Sequence, residues 1–523
     1  MATIYLINPR CPDTFWGLRS ALEMVGYRYA LPNLALPTLQ ALTPAQHGVI
    51  LCDENLSDVD FDTECDLVGV TGYTIQASRM FEIADEFRRR GKLVALGGPY
   101  ASLVPHECRG HADILFVGEA ELTWPKFLGD FERGDWQPTY EQVEKIDMRE
   151  SPIPNWDGLP LAQYAGVTVQ TTRGCPFNCE FCDIIVLYGR KVRAKPVERV
   201  VAEVEALVER GADALFFTDD NFIGNRRYAK ELLAALIEYR RGRSQTLQFY
   251  TQVSLNLALD DELLRLMVEA GFTRVFIGIE SPRTSSLLEA NKKQNTAGGM
   301  IDNLRKIQRA GLFVWAGMIV GFDADDETIF EEQFAFLQEA GIPVAMLGML
   351  NAPHNTALWH RLKREGRLCS DETLANNLAS TNIIPKLMSR AELHQGYAAL
   401  LRRLYTPEAY LERLDVAVRS ASAETSASSG SGGRLKLSDL RMLSTIVWYY
   451  LSHRNAATRR IFWRMLRHAV GSNLTLVWNV WSHLAAYAHF EHYIFRQLVP
   501  ELEAQAVALD ADSGPARKRL ALG

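Results

Sequence analysis

Thr171-Thr172-Arg173-Gly174-Cys175-Pro176-Phe177-Asn178-Cys179-Glu180-Phe181-Cys182-Asp183 is the stretch on which the reading of this 523-residue chain turns. Its three cysteines stand at C-x3-C-x2-C spacing, directly after the strand-like run Val167-Thr168-Val169-Gln170. A short loop with this spacing turns three thiolates toward one point, and such thiolates hold iron–sulfur clusters. Three ligands rather than four leave one iron of a [4Fe–4S] cluster without a protein ligand, and that open position is where chemistry happens. A zinc site would want a fourth ligand at usable spacing, and the nearest following histidine is His354. Three unrelated core cysteines would leave the Gly-Cys-Pro opening and Asn178 unexplained, and clustered spacings of this kind are specific.

The loop resembles that of radical S-adenosylmethionine (SAM) enzymes. The resemblance implies a [4Fe–4S] cluster on Cys175, Cys179 and Cys182, with the open iron binding the amino and carboxylate groups of SAM. One electron from the cluster, delivered by a donor such as a flavodoxin or ferredoxin, would cleave SAM to a 5′-deoxyadenosyl radical.

Composition is compatible with this. The chain is long enough for about three domains, and 47% hydrophobic residues supply real cores. A net charge of −7 and a pI near 6.0 give no overall footprint for nucleic acid. Eight cysteines, three of them clustered, argue for a reducing compartment rather than a disulfide scaffold. The first residues lack a basic signal-type start, and no uninterrupted apolar span of about 20 residues is present, so a cytoplasmic location is expected.

Residues 1–145 carry five short apolar runs, at 4–7, 49–52, 67–71, 93–96 and 114–117. Continuous rather than alternating hydrophobicity predicts strands covered on both faces, as in a doubly wound, Rossmann-like parallel sheet. Polar residues and glycines follow the runs, notably Gly72, Gly97, Gly98, Gly118 and Glu119. Ligands bind at such strand ends, where glycine lets the backbone approach them closely. A sheet domain with GGP and GE-x-E segments directly before the cluster loop looks like the cobalamin-binding domain of B12-dependent radical SAM enzymes. The resemblance implies cobalamin at those five residues. The Asp-x-His-x-x-Gly signature of other B12 folds is missing, so no histidine is marked as a ligand of cobalt.

Residues 146–162 read as a proline-rich linker packed between two domains. Within 163–356, strands at 167–171, 214–218, 248–253, 274–279, 314–320 and 344–350 alternate with amphipathic helices. This order predicts a partial TIM-type (β/α)6 barrel with its reactive face at the carboxyl ends of the strands. There the resemblance implies SAM contacts from Asp219, Asp220 and Asn221 after strand 2, Ser254 after strand 3, Glu280 after strand 4, and Gly317 and Gly321 along strand 5. The acids suit an ammonium partner or a helix N-cap, and the glycines suit adenine or ordinary close packing. Arg190, Lys191, Arg193 and Lys195 follow the cluster loop, to neutralise SAM or the cluster or to stand solvated.

Residues 357–418 predict a helical extension. The cluster sequence, the Thr-Asp-Asp-Asn-Phe-Ile segment at 218–223 and this extension resemble the subgroup that includes hopanoid C-2 methylases, over residues 1–415. Residues 419–433 have the composition of a flexible linker. Residues 434–498 follow as a helical appendage outside the resemblance. It carries nine Arg/Lys against two Asp/Glu, with Trp448, Trp463, Trp478 and Trp481. Either it is a bundle docked on the enzyme or a second subunit, or it lies peripherally on the inner membrane face. A tail, 499–523, is expected to be disordered from residue 508.

Together these readings imply a B12-dependent radical SAM methyltransferase acting on an unactivated carbon of a hydrophobic small molecule through a 5′-deoxyadenosyl radical and methylcobalamin. The same architecture also hosts oxidative cyclases and rearrangement enzymes, and a non-catalytic cobalamin or redox sensor is the alternative from another class.

Overall fold

The computed structural model of the chain describes residues 1–243, 247–369, 379–422, 437–469 and 474–520. The five N-terminal apolar runs form β1 (Thr3–Asn8), β2 (Gly48–Asp53), β3 (Leu67–Thr71), β4 (Leu93–Gly97) and β5 (Ile114–Val117). A sixth strand, β6 (Thr139–Glu141), joins them in the parallel order β2-β1-β3-β4-β5-β6. β6 carries no continuous apolar run because only Tyr140 of its three residues is buried. Helices Ala77–Arg89 and Gly98–Leu103 cover one face of the sheet, and Ala35–Leu42 and Thr123–Arg133 cover the other. The order reverses at β1, so β1 and β3 open a crevice at their carboxyl ends, the usual place for a ligand in such sheets.

The barrel strands are β7 (Val167–Val169), β10 (Ala214–Phe217), β11 (Gln248–Val253), β12 (Phe272–Glu280), β13 (Phe313–Val320) and β14 (Ala345–Met349), all parallel and in that spatial order. A short antiparallel pair, β8 (Thr172–Arg173) and β9 (Arg193–Ala194), frames the cluster loop. Side chains alternate along each strand. On β12, Val275, Ile277 and Ile279 are fully buried under the outer helices, while Arg274, Phe276 and Gly278 are half-buried on the concave face. On β13, Trp315, Gly317 and Ile319 do the same. The accessible face is therefore the lumen.

A six-stranded partial barrel leaves edge strands whose backbone groups need partners. At β14 the C-terminal helices supply them. From helix Arg390–Leu404 and the residue after it, Tyr397 and Tyr405 donate hydroxyls to Leu347 O (2.8 Å) and Ala345 O (2.6 Å), two residues apart on one edge. The fully buried Arg413 of helix Pro407–Ser422 donates to Ile342 O and Leu404 O. Helix Leu474–Tyr493 then packs behind them, with Tyr410 donating to His483 O (2.7 Å). It also grips the loop after β1. Phe15 lies 5.7 Å from Phe490 and 5.5 Å from Tyr493 between ring centroids, and His489 donates to Thr14 O.

Residues from barrel and appendage thus share one core. Helices Leu437–Ser452, Ala456–Ala469 and Leu474–Tyr493 of the basic segment dock on the enzyme through their inward faces. No helix among the described residues is long and apolar enough to cross a membrane. Helix Val499–Leu520 packs on Arg390–Leu404 and is held there by the Arg402–Glu503 ion pair and a Gln395–Asp510 hydrogen bond. Most of the expected flexible linker, 423–433, lies outside the described residues, as do 521–523.

The docked helix is pH-sensitive by construction. Trp315 Nε1 donates to His483 Nε2 (3.2 Å), so the proton sits on His483 Nδ1, which donates to Asn479 O (2.7 Å). Only the neutral ring serves both bonds. Burial first, then Arg274, holds His483 down at about 3, and burial holds His489 at about 4. The unfolded value is about 6.5. Both groups therefore stabilise docking fully above that pH, and the contribution is lost as pH falls toward the folded values. By pH 5 the loss for His483 alone is about 2 kcal/mol. Acid titration of unfolding stability should show this slope between pH 6.5 and 4, and His483→Gln should remove about half of it.

Candidate functional site

The cluster loop is clamped from below. Asp219, fully buried after β10, accepts from Thr171 N (2.7 Å), Thr172 N (2.6 Å) and Thr171 Oγ1 (2.6 Å). Asp220 accepts from Gly174 N (2.8 Å), and Cys175 N donates to Gly189 O (3.2 Å). Burial raises Asp219 to about 6 against these hydrogen bonds, and raises Asp220 to about 7. Asp219 thus holds the loop, while the half-buried Asp220 faces the site. Asn221 and Ser254, expected on neighbouring strand ends, bond to each other (3.1 Å) and line the same rim.

Cys179 is buried, and Cys175 and Cys182 are half-buried. Burial pushes the Cys175 and Cys182 thiols up, so deprotonation needs a compensating positive centre. Among the described residues no three His, Cys, Asp or Glu side chains are gathered as ligands of a single metal ion. A four-iron cluster gives each thiolate its own iron, so three cysteines on one short loop suit it. The donor set fits a [4Fe–4S] cluster.

Two side chains that sequence reasoning missed face these thiols. Lys292 lies within electrostatic reach of Cys179 and Cys182 and pairs with Glu280 (2.7 Å). Burial lowers its pKa, but Glu280 and Cys179 more than offset this, and the ammonium stays charged. Gln294 Nε2 donates to Cys179 Sγ (3.5 Å). Glu280 itself has φ +68 at a register shift of β12, an unusual conformation for a non-glycine residue. Asn295 braces the same turn by donating to Gly278 O and Ile279 O. The lysine had only the basic run Asn291-Lys292-Lys293 to signal it.

The basic loop after the cluster is spent elsewhere. Lys195 is buried against Glu203 (2.6 Å) and Arg193 pairs with Glu119 (2.9 Å), while Arg190 and Lys191 are exposed. Gly317 is small because a Cβ there would lie 2.9 Å from Phe276 Cζ, and Gly321 (φ +103) forms the turn that Asp325 caps. Phe276 in turn meets Trp16, which the loop after β1 extends over the lumen at 4.8 Å between centroids. Trp16 is 51% exposed.

The second half of the site is the seam between the domains. A cavity of about 1290 Å³, open mouth included, lies at the carboxyl ends of β3, β4 and β5. The sheet contributes Tyr73, Gly97, Gly98, Gly118 and Glu119 to its walls, and the barrel contributes Gln170, Arg173, Tyr188 and Thr218. Gly72 is not among the lining residues: its backbone lies beside Gly98 and its Cβ position meets Met80. Gly98 adopts φ +90, with Thr71 Oγ1 2.3 Å from where a Cβ would sit, so only glycine brings the backbone this near the cavity. Apolar residues Leu6, Leu36, Leu39, Ala95, Phe116 and Trp124 continue the cavity into a slot beside the sheet.

Glu119 is not free to meet a ligand alone. It accepts from both Arg173 Nη1 and Arg193 Nη1 (2.9 Å each) and from Ile146 N (3.0 Å), while Glu121 pairs with Arg173 (2.6 Å). All four side chains are almost fully buried. Burial alone would raise Glu121, but Arg173 outweighs it and holds the carboxyl below its usual range.

A parallel partial barrel carrying a three-cysteine loop on its first strand, joined across such a cavity to a doubly wound sheet, defines the radical SAM enzymes with a cobalamin-type domain. The radical SAM superfamily model matches residues 169–337, and a domain of unknown function matches 356–503. An uncharacterized methyltransferase of Synechocystis sp. is 37% identical, over 94% of this chain and 92% of its own length. Hopanoid C-2 methylase of Rhodopseudomonas palustris is 32% identical, over 93% of each chain. The structure of OxsB, a cobalamin-dependent SAM radical enzyme with aqua-cobalamin and SAM bound, superposes with a TM-score of 0.61 at 15% identity, covering 98% of this chain and 84% of that one. The chain belongs to the radical SAM methyltransferase family of hopanoid C-2 methylase and is an enzyme of that class. The appendage expected to lie outside the resemblance is part of it, since both relatives and the second family model extend through it.

The seam should be sensitive to a neutral substitution. Glu119→Gln leaves Arg193 buried without a counter-charge and should cost about 3–5 kcal/mol, read as a lower denaturant midpoint of the N-terminal domain.

Proposed function

We propose that this enzyme transfers a methyl group to an unactivated carbon of a hydrophobic small molecule, with a [4Fe–4S] cluster, SAM and cobalamin as its cofactors. The observation that carries the reading is a cavity walled jointly by Tyr73, Gly98 and Glu119 of the sheet and by Arg173 and Tyr188 beside the cluster loop. When bound, the cluster with SAM supplies a carbon-centred radical and cobalamin supplies the methyl group.

The chain's own residues bind, orient and exclude water. Cys175, Cys179 and Cys182 hold the cluster, Gln294 tunes it by bonding one thiolate, and Lys292 offsets its negative charge. Asp220 is the carboxylate for the SAM ammonium, Lys292 the cation for its carboxylate, and Glu280 the acceptor for its ribose hydroxyls. Gly97, Gly98 and Gly118 would let backbone approach a bound cobalamin closely, and the apolar slot would offer it a dry wall. No histidine lines the cavity, so this lining would offer a bound cobalamin no imidazole, and Tyr73, 55% exposed, faces that space. Trp16 and Phe276 form an apolar wall for the substrate. A flavodoxin or ferredoxin supplies the electron.

The test is anaerobic reconstitution with cobalamin, followed by absorption and EPR spectra and by product analysis. Stoichiometric cobalamin, a SAM-responsive cluster signal, 5′-deoxyadenosine and a product heavier by one methylene are expected. A product lacking two hydrogens would indicate an oxidative cyclase, and the absence of 5′-deoxyadenosine would leave a sensor. Cys179→Ser should abolish the signal. Lys292→Gln should keep the cluster but weaken SAM binding at least about tenfold, as loss of a buried charge partner does, measured from the SAM-dependent EPR change.

A further inference from the structure

Ten tryptophans are spread along the chain, and the two most exposed lie together on one helical hairpin far from the cofactor cavity. Trp448 of helix Leu437–Ser452 is 73% exposed and Trp463 of helix Ala456–Ala469 is 54% exposed, with Leu451 at 44%. The helices meet through Tyr450 and Phe462, whose rings stack 6.0 Å apart between centroids. Inward positions Ile446, Tyr450, Ile461, Phe462 and Met465 are buried in the main core. Exposure of the indoles is therefore not a sign of loose packing. Each helix is amphipathic in the ordinary sense, yet its outward face is not simply polar.

Charge completes the pattern. On helix Ala456–Ala469, Arg460, Trp463, Arg464 and Arg467 recur at i, i+3, i+4 and i+7, which places them on one outward stripe. Arg454, in the turn between the helices, is also exposed. Among the described residues, two carboxylates near the hairpin are engaged. Asp415 pairs with Arg464 and Arg419, and Glu491 pairs with His453 and bonds Tyr449 Oη. Arg454, Arg460 and Arg467 make no ion pair among the described residues. A chain of net charge −7 thus presents a local basic face studded with two indoles and a leucine. Indole prefers the boundary between hydrocarbon and water, and clustered arginines beside it favour anionic headgroups.

We propose that this hairpin is a docking surface for an anionic lipid bilayer, with Trp448, Leu451 and Trp463 entering the interfacial layer and Arg454, Arg460 and Arg467 meeting lipid phosphates. The surface is superficial rather than spanning. It rests on the proposed methyl transfer only in giving a hydrophobic substrate a place to be met, and binding itself requires no turnover. A second copy of the chain would leave the arginines facing each other across a two-fold axis, where like charges repel. A nucleic acid would use the arginines but leave the leucine and the indoles' apolar edges without a purpose.

Flotation of the full-length, cofactor-loaded protein with phosphatidylglycerol/phosphatidylcholine vesicles tests this, with pure phosphatidylcholine vesicles as the comparison. Most of the protein should float with the anionic vesicles and at least five-fold less with the neutral ones. Vesicles with brominated acyl chains should quench tryptophan emission. W448S/W463S should abolish the quenching, and R454E/R460E/R467E should abolish flotation. SAM cleavage to 5′-deoxyadenosine should be unchanged in both variants, which shows that they fold and separates this result from any failure of the methyl-transfer reading. Absence of flotation with anionic vesicles overturns the proposal, as does flotation equal in wild type and both variants. Concentration-dependent dimerisation lost in W448S/W463S without vesicle binding would assign the face to a second copy, and a mobility shift with RNA or DNA without vesicle binding would assign it to nucleic acid.

Discussion

The Glu119 carboxylate, buried between the guanidinium groups of Arg173 and Arg193, is the interaction on which the site depends. Burying such charges is expensive unless every one is paired and the geometry is good. Here the carboxylate comes from the carboxyl end of β5 and the arginines from β8 and β9, the two short strands that frame the cluster loop. The network forms only if the sheet and the barrel sit at one distance and one angle. Because Ile146 N also donates to Glu119, the segment joining the domains is tied into the same node. The cavity beside it has a fixed width as a result, and what occupies the sheet side must face the loop that carries the cysteines.

A similar economy governs the lower half of the loop. Asp219 spends both its oxygens on backbone and hydroxyl donors of Thr171 and Thr172, and Asp220 holds Gly174. Adjacent carboxylates thus divide labour according to burial. The fully enclosed one becomes a strut, and the half-exposed one retains an oxygen toward the space above. Glu280 shows the reverse case. Its backbone is held in an unusual conformation by Asn295 and the β12 register shift, and its carboxylate is aimed at Lys292 beside the thiols. Strain of this kind persists where surrounding structure over-determines it.

Much of the architecture was legible in the sequence because buried parallel strands leave continuous apolar runs. Eleven of the twelve strands of the N-terminal sheet and the barrel carry such a run. β1 to β5 and all six barrel strands had one, and β6, with Tyr140 alone turned inward, did not. The cysteine loop was legible because its spacing carries its chemistry. Pairings were not. Nothing local distinguishes Arg193 and Lys195, buried against Glu119 and Glu203, from Arg190 and Lys191, which stand in water. Partners separated by 74 and 8 residues are chosen by the fold. Lys292 was overlooked for the same reason, since the thiols it faces, Cys179 and Cys182, lie more than a hundred residues earlier in the chain. The C-terminal helices read as an appendage because a linker-like composition precedes them, whereas their inward faces were made to cover an edge strand.

That covering has a mechanical consequence. Tyr397 and Tyr405 cap the β14 edge, and helix Leu474–Tyr493 closes over them while holding Phe15 through Phe490 and Tyr493. Phe15 belongs to the loop after β1, which also carries Trp16 over the lumen. The two domains are therefore joined twice, once by charges at Glu119 and once by this aromatic clamp. One tie is polar and insensitive to the C-terminal helices, and the other is built from them. Both ties flank the lumen, so the position of the sheet against the barrel is set on two sides of it. The helical hairpin with Trp448 and Trp463 packs into the same core as the clamp. One continuous core thus runs from the hairpin through Phe490 and Phe15 to the residue before the tryptophan that walls the lumen.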